Sequence, residues 1–247
     1  MRVGIVDYIN ALPFTHLFLK RRDTLGHVFY FAPPTQLNIL LKERGLDIAL
    51  TSSAEYLDGS YQILPDFCIA SHTHILSVNF YTRRPLNTLS GAKIGLTSDS
   101  STSISLLKVL CHHLWKVKPK YLPLSRSMLA AYDAFLLIGN EALEHPSFFG
   151  YTTIDLAAAW FEMTRLPFVF ALFAAQKEVN STLFQQNLHE ALAYSEGHRE
   201  KLIEEAKKQC PLSRQLIYNY YQACHYRLGD KEREGLQTFQ QLRKHVS

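Results

Sequence analysis

The chain reads as an α/β protein of two lobes, and three observations carry that reading. Four times in about the first 140 residues a short apolar run ends in a small polar turn that opens a helix. Arg2–Val6 leads into Asp7–Pro13, Asp47–Thr51 into Ser52–Tyr56, Lys93–Thr97 into Ser98–Ser103, and Ala134–Ile138 into Gly139–Glu141. Strands alternating with helices in this way default to parallel pairing. Two extended stretches, about 75–82 and 168–175, bracket the second α/β set, and the pattern from about Glu178 onward is helical. The expected division is therefore 1–80 plus 176–247 for one lobe and 81–175 for the other, with the four turns lining a cleft between them.

Each element follows from local signals. A strand over 2–6 precedes Pro13, a good first-turn residue, which starts a helix running to about Arg22. A strand near 27–31 precedes Pro33-Pro34-Thr35, which caps a helix ending at Gly45, and strand 47–51 closes the first set. Tyr61–Leu64 and the longer Ile75–Thr82 read as extended. Strand 93–97 feeds a helix over about Thr102–Trp115, with Ile104, Leu107, Cys111 and Leu114 on one face. Strand 134–138, a helix over about 153–164 and the continuously apolar Leu166–Ala174 follow, the last too apolar to be anything but a buried strand. The helical C-terminal part breaks near Cys210-Pro211 and at Leu228-Gly229-Asp230.

Bulk properties narrow the class. With 247 residues, 47% apolar and 19% charged, the chain has material for a sizeable core, in one large domain or two modest ones. A net charge of +4 comes without a basic block longer than Lys20-Arg21-Arg22, which suits the end of the first helix better than a nucleic-acid patch. No nucleic-acid partner is expected. No stretch approaches the ~20 apolar residues of a membrane span, and the N-terminus enters a strand without a signal-like apolar run. The four cysteines lack CxxC spacing and read as buried or idle thiols, so a soluble, cytoplasmic chain is expected, as monomer or homodimer.

The turns carry the chemistry. In an open α/β sheet ligands sit beyond the carboxyl ends of the strands, where helix N-termini present free N–H groups and a positive dipole end. Ser100, Ser101 and Thr102 supply more hydroxyls than a cap requires, which favours a carboxylate or phosphate cradle over a plain N-cap. Ser52 and Ser53 follow the same logic in a shorter turn that serves equally as a cap. Asn10, at the end of the first strand, offers a neutral amide to a ligand or forms a turn. Without a Gly-rich phosphate loop, nucleotides are poor candidates for the anion. His72 and His74 share a strand face but lack an evident third ligand, so no metal is expected, while His112 and His113 read as structural or exposed. No GxSxG elbow occurs; Asp7 and Glu55 are the acids nearest the expected cleft.

Together these stretches resemble the menaquinone-biosynthesis family of the futalosine route, in its chorismate dehydratase branch. The resemblance runs in order through Tyr8–Pro13, Gly45–Tyr56, Leu76–Val78, Arg83–Leu86, Ser100–Ser103, Leu136–Asn140, Asp155-Leu156 with Trp160, and Thr164–Ala171. It implies a two-lobed, type II periplasmic-binding-protein-like fold with an interlobe cleft. It further implies dehydration of a small dicarboxylate, chorismate, to 3-[(1-carboxyvinyl)oxy]benzoate without a cofactor. Carried over, Asn10 bears on the leaving hydroxyl or the ring. Ser52, Ser53, Ser100, Ser101 and Thr102 bind carboxylates, and Gly139 and Asn140 form the cleft wall. Asp7, Ile9, Asn140 and Ser71–His74 depart from the family pattern. Two rivals accompany it. One is the 1,4-dihydroxy-6-naphthoate synthase of the same pathway, for which His145 would be the catalytic histidine; the other is a cytosolic carboxylate-binding sensor without catalysis.

Overall fold

The apolar runs fold as strands, and the helices between them cover the sheet faces. The computed structural model describes residues 1–20 and 26–246. In chain order the elements begin with β1 (Arg2–Val6), α1 (Leu12–Lys20), β2 (Val28–Ala32), α2 (Pro34–Lys42), β3 (Ile48–Ser52), α3 (Ser53–Asp58) and β4 (Gln62–Ser71). They continue with β5 (Val78–Thr82), β6 (Lys93–Leu96), α4 (Ser101–Val109), β7 (Lys120–Pro123), β8 (Ala134–Ile138), α5 (Gly139–Glu144), β9 (Thr152–Asp155) and α6 (Leu156–Thr164). Last come β10 (Phe168–Ala175), α7 (Thr182–Gly197), α8 (Arg199–Gln209), α9 (Arg214–Ala223), β11 (His225–Arg227) and α10 (Asp230–Arg243).

The chain divides into two compact units, Met1–Ile69 with Phe170–Leu228 and Ala70–Val169 with Gly229–Ser247. The first is built on a sheet of order β11-β4-β10-β3-β1-β2, in which β1 pairs in parallel with β2 and β3, and β10 runs antiparallel to β3. All five residues of β3 are buried, as a strand inside a covered sheet requires. The second unit has order β7-β6-β8-β5-β9, with β6 parallel to β7 and β8, and β5 antiparallel to β8 and β9. Its core includes Tyr81, Phe135, Leu137 and Ala142, with the Tyr81 and Phe135 rings stacked 5.1 Å apart.

This division corrects the expected one. Its boundaries fall at 69/70 and 169/170 rather than 80/81 and 175/176, and α10 joins the second unit instead of returning to the first. The reason is packing. Phe239 of α10 sits 4.9 Å from the Phe168 ring and 6.1 Å from Trp160, whose indole N–H donates to the Pro167 carbonyl. Gly235 lets α10 come so close that a Cβ there would lie 2.2 Å from that same carbonyl oxygen.

Other expectations shift at element ends. The helix expected from 153 starts at Leu156, because Thr152–Asp155 pair with β5 as the edge strand β9. The extended run expected from Ile75 becomes a strand only at Val78, and Leu76 adopts a φ of +66°. β4 extends to Ser71, well beyond the expected Leu64. α4 starts at Ser101 and continues as a π-helical turn over Leu110–Leu114. β7 and β11 carry no apolar signal and were not expected. The expected helix end at Arg22 lies outside the described residues. Among the described residues no helix is long and apolar enough to cross a membrane.

Candidate functional site

In the first unit, β1 runs into a single 3-10 turn, Ile9–Ala11, whose middle residue is Asn10. The turn is held by the Ala11 N–H to the Tyr8 carbonyl at 3.0 Å and by the Tyr221 hydroxyl, which donates to the Ile9 carbonyl at 2.9 Å. Burial raises the Tyr221 pKa, so this hydroxyl stays a proton donor. Within that rigid frame the Asn10 side-chain oxygen is buried and has no hydrogen-bond partner among the described residues. A buried acceptor left unmade costs about 1–3 kcal/mol. Folds retain such groups where something else supplies the donor.

The β3–α3 turn is neutral and self-satisfied. Ser52, 3% exposed, accepts the Glu55 N–H at 3.4 Å as the N-cap of α3 and also accepts from the Asn38 amide at 3.1 Å. The Thr51 hydroxyl donates to the Asn38 oxygen at 2.7 Å. Ser53 is fully buried behind it. The cap reading of Ser52 is thus realised in full. Glu55 accepts from the Tyr61 hydroxyl at 3.0 Å, and burial together with Glu55 pushes the Tyr61 pKa to about 12. Asp7 is exposed.

In the second unit, Ser100 caps α4 by accepting the Ser103 N–H at 3.1 Å and donates to the Ser103 hydroxyl at 3.1 Å. Ser101, the first residue of α4, is exposed, while Thr102 is buried. Asp99, just before the cap, accepts from the Thr97 hydroxyl at 2.8 Å and from Arg126 at 3.0 Å. Gly139 opens α5 with a φ of +63°, a conformation that favours glycine, and its N–H donates to the Ser77 carbonyl at 2.8 Å. The next residue, Asn140, repeats the Asn10 situation: its side-chain oxygen is buried and without a partner among the described residues. Two sequence-expected amides are therefore left with open acceptors, one in each unit.

The histidines sort differently. His145 caps the end of α5, is exposed, and offers its backbone carbonyl to the Tyr81 hydroxyl at 2.6 Å. The His72 ring lies 2.6 Å from Glu232, a buried acid that also accepts the Gly229 N–H at the start of α10. His74 meets the Thr73 hydroxyl at 3.0 Å.

Two residues of consequence, Asn38 and Arg126, escape the sequence reading, and a third, Asp155, enters it only through the resemblance. Asn38 has no local signal, being one polar residue on a helix face. Arg126 binds partners 27 and 15 positions away. Asp155 has the signal of an acid directly before an apolar helical run. One oxygen of its carboxylate accepts from Ala157 and Ala158, capping α6 at 2.8 and 3.1 Å. The other accepts the Ile75 and Leu76 N–H groups at 2.8 and 2.7 Å. The four cysteines are buried free thiols; burial pushes Cys111 and Cys224 to about 12, which leaves those two unreactive.

A family model described as menaquinone biosynthesis matches residues 1–245. The chain is 31% identical to a protein named chorismate dehydratase from Thermus thermophilus, over 96% of this chain and 93% of that one. It is 32% identical to a Campylobacter jejuni protein of the same name, over 76% and 72%. Among solved structures, a Candida albicans gene product described as exhibiting the generic periplasmic binding protein fold superposes with a TM-score of 0.69 at 11% identity, covering 100% of this chain and 90% of that one. The fold is the periplasmic-binding-protein-like one.

Proposed function

The chain belongs to the menaquinone-biosynthesis family, and from that premise we propose that it is a chorismate dehydratase, converting chorismate to 3-[(1-carboxyvinyl)oxy]benzoate and water. The reaction removes a ring hydroxyl and the proton on the neighbouring ring carbon. The C–H electron pair becomes the new ring double bond as the C–O bond breaks, and the hydroxyl leaves as water. Aromatisation supplies the driving force, and the step is redox-neutral. What remains for the protein is to orient the dianion, stabilise the departing oxygen and keep water out.

The single observation that carries the residue assignment is the unpartnered oxygen of Asn10, held on a turn fixed by Tyr221. It accepts from the leaving hydroxyl and so orients the C–O bond. Ser100, Ser101 and Thr102 at the start of α4 receive a carboxylate, Ser101 being the exposed residue of the three. Ser52 and Ser53 contribute through the backbone at the start of α3, because the Ser52 hydroxyl is already committed. Gly139 and Asn140 wall the substrate. No acid of the protein is assigned as base: Asp7 is exposed and Glu55 is bonded to Tyr61, so a carboxylate of the substrate takes the ring proton and passes it to the departing hydroxyl, which leaves as water. The futalosine route and a cytoplasmic setting belong to the same proposal, and four free thiols suit a reducing compartment.

The test is direct. Purified protein incubated with chorismate is expected to yield an aromatic product one water lighter. Asn10→Ala is expected to lower turnover by at least about 10³-fold, or ~4 kcal/mol, with an unchanged melting temperature. Near-normal turnover of that variant removes Asn10 from the mechanism. Chorismate binding without turnover indicates a sensor, and absence of binding favours the naphthoate synthase.

A further inference from the structure

Around the α4 turn the second unit places one cation against two acids. The Arg126 guanidinium grips Glu141 in a bidentate pair at 2.7 and 2.8 Å, and one of the same nitrogens reaches Asp99 at 3.0 Å. Asp99 is the residue before the Ser100 cap, and Glu141 is the residue after Asn140. The two acids thus flank the two turns that, on the dehydratase reading, meet the substrate. Their position is paradoxical for a dianion-binding protein. An uncompensated carboxylate at the mouth of α4 competes for the same helix-end field and repels an arriving carboxylate.

We propose, resting on the chorismate reading, that Arg126 is a positioning and charge-masking residue for substrate binding. It neutralises the field of Asp99 and Glu141 at the α4 and α5 turns and ties the two turns together. A planar, bidentate guanidinium suits this task better than an ammonium, because it fixes the relative orientation of both acids while cancelling charge. Asp99 is in turn wired into its loop by the Thr97 hydroxyl at 2.8 Å and the Ser98 hydroxyl at 3.3 Å, so moving Arg126 moves the cradle. Asp99 and Glu141 are about a third exposed and Arg126 about half, so the interaction is open to screening by salt.

The experiment compares steady-state kinetics of the full-length protein with chorismate at low and high salt. Arg126→Gln is expected to raise KM by about 10- to 100-fold at low salt while kcat changes less than about threefold, and the KM defect narrows as salt screens the exposed acids. The triple variant Arg126→Gln, Asp99→Asn, Glu141→Gln removes all three charges without removing bulk, and its KM is expected to return towards the wild-type value. Arg126→Lys is expected to recover part of the affinity. If the arginine is merely structural, Arg126→Gln lowers the melting temperature and kcat, and the triple variant does not restore KM; that result overturns the proposal. Unchanged KM in Arg126→Gln overturns it as well, while wild-type turnover keeps the dehydratase reading intact. A wild-type protein that does not dehydrate chorismate defeats the underlying reading and this inference with it.

Discussion

At the start of α3 the Ser52 hydroxyl is sealed between Asn38 and the Glu55 N–H. At the start of α4 Ser100 makes the equivalent cap, and Ser101 beside it stays exposed next to a network of charges centred on Arg126. Both turns are a strand end followed by serines, and both place one serine as N-cap. They differ in what long-range partners do to the surplus hydroxyls. In the first unit a buried asparagine from α2 bonds Thr51 and the capping Ser52, and Ser53 is fully buried. In the second unit Ser101 is exposed, Thr102 is buried, and Asp99 just before the cap is paired with Arg126. A hydroxyl-rich helix start is therefore a cap by default, and its remaining capacity for a ligand is set by neighbours distant in sequence.

The strongest way to break this contrast is Asn38→Leu. It leaves the buried Thr51 and Ser52 hydroxyls without the amide, and a stability loss of about 2–4 kcal/mol is expected by urea unfolding. A loss below ~1 kcal/mol would mean that the network is not what holds the β3–α3 turn. Next, Ser101→Ala is expected to raise KM for chorismate about tenfold, ~1.4 kcal/mol, with an unchanged melting temperature. Ser52→Ala should behave oppositely, losing about 1 kcal/mol of stability with little change in KM. If Ser52→Ala instead matches Ser101→Ala in KM, the two turns share one role and the contrast fails.

The smallest effect concerns pH. His16 and His27 in the first unit have pKa values lowered chiefly by burial, and the Nδ1 atom of each has no partner among the described residues. The native state thus keeps both neutral where the unfolded chain takes up protons. Their neutral forms cost nothing above about pH 6.5, the ordinary histidine value, and stability falls as pH drops below it. Melting is expected at a lower temperature at pH 5.5 than at 7.5. The gap should shrink in a His16→Gln, His27→Gln double variant; an unchanged gap assigns the dependence to other groups.

Much of the candidate site is legible because its signals are local. Asn10, Ser100, Ser101, Gly139 and Asn140 each stand at the junction of an apolar run and a polar turn, and strand-to-helix junctions are where α/β proteins keep their ligands. Asp155 was partly legible as a cap, but its second oxygen, which holds Ile75 and Leu76, joins segments about 80 residues apart. Asn38 and Arg126 were not legible, because one polar residue on a helix or in a short turn looks the same whether it faces solvent or a buried network. The edge strands β7, β9 and β11 were also missed, since they are short and their residues largely exposed or half-buried, leaving no apolar alternation to detect.

Periodicity and turn chemistry are properties of a few consecutive residues, so the sequence alone determined the alternation of strands and helices, the capped helix starts and the two amides at their mouths. Which core the last helix completes is a matter of shape. Leu236 and Phe239 announce an apolar face, but only three-dimensional packing against Phe168 and Trp160, with Gly235 against Pro167, assigns it to the second unit. The same holds for charge. Asp99, Glu141 and Arg126 are unremarkable apart, and only the folded chain brings them within hydrogen-bond distance, where Coulomb interaction acts.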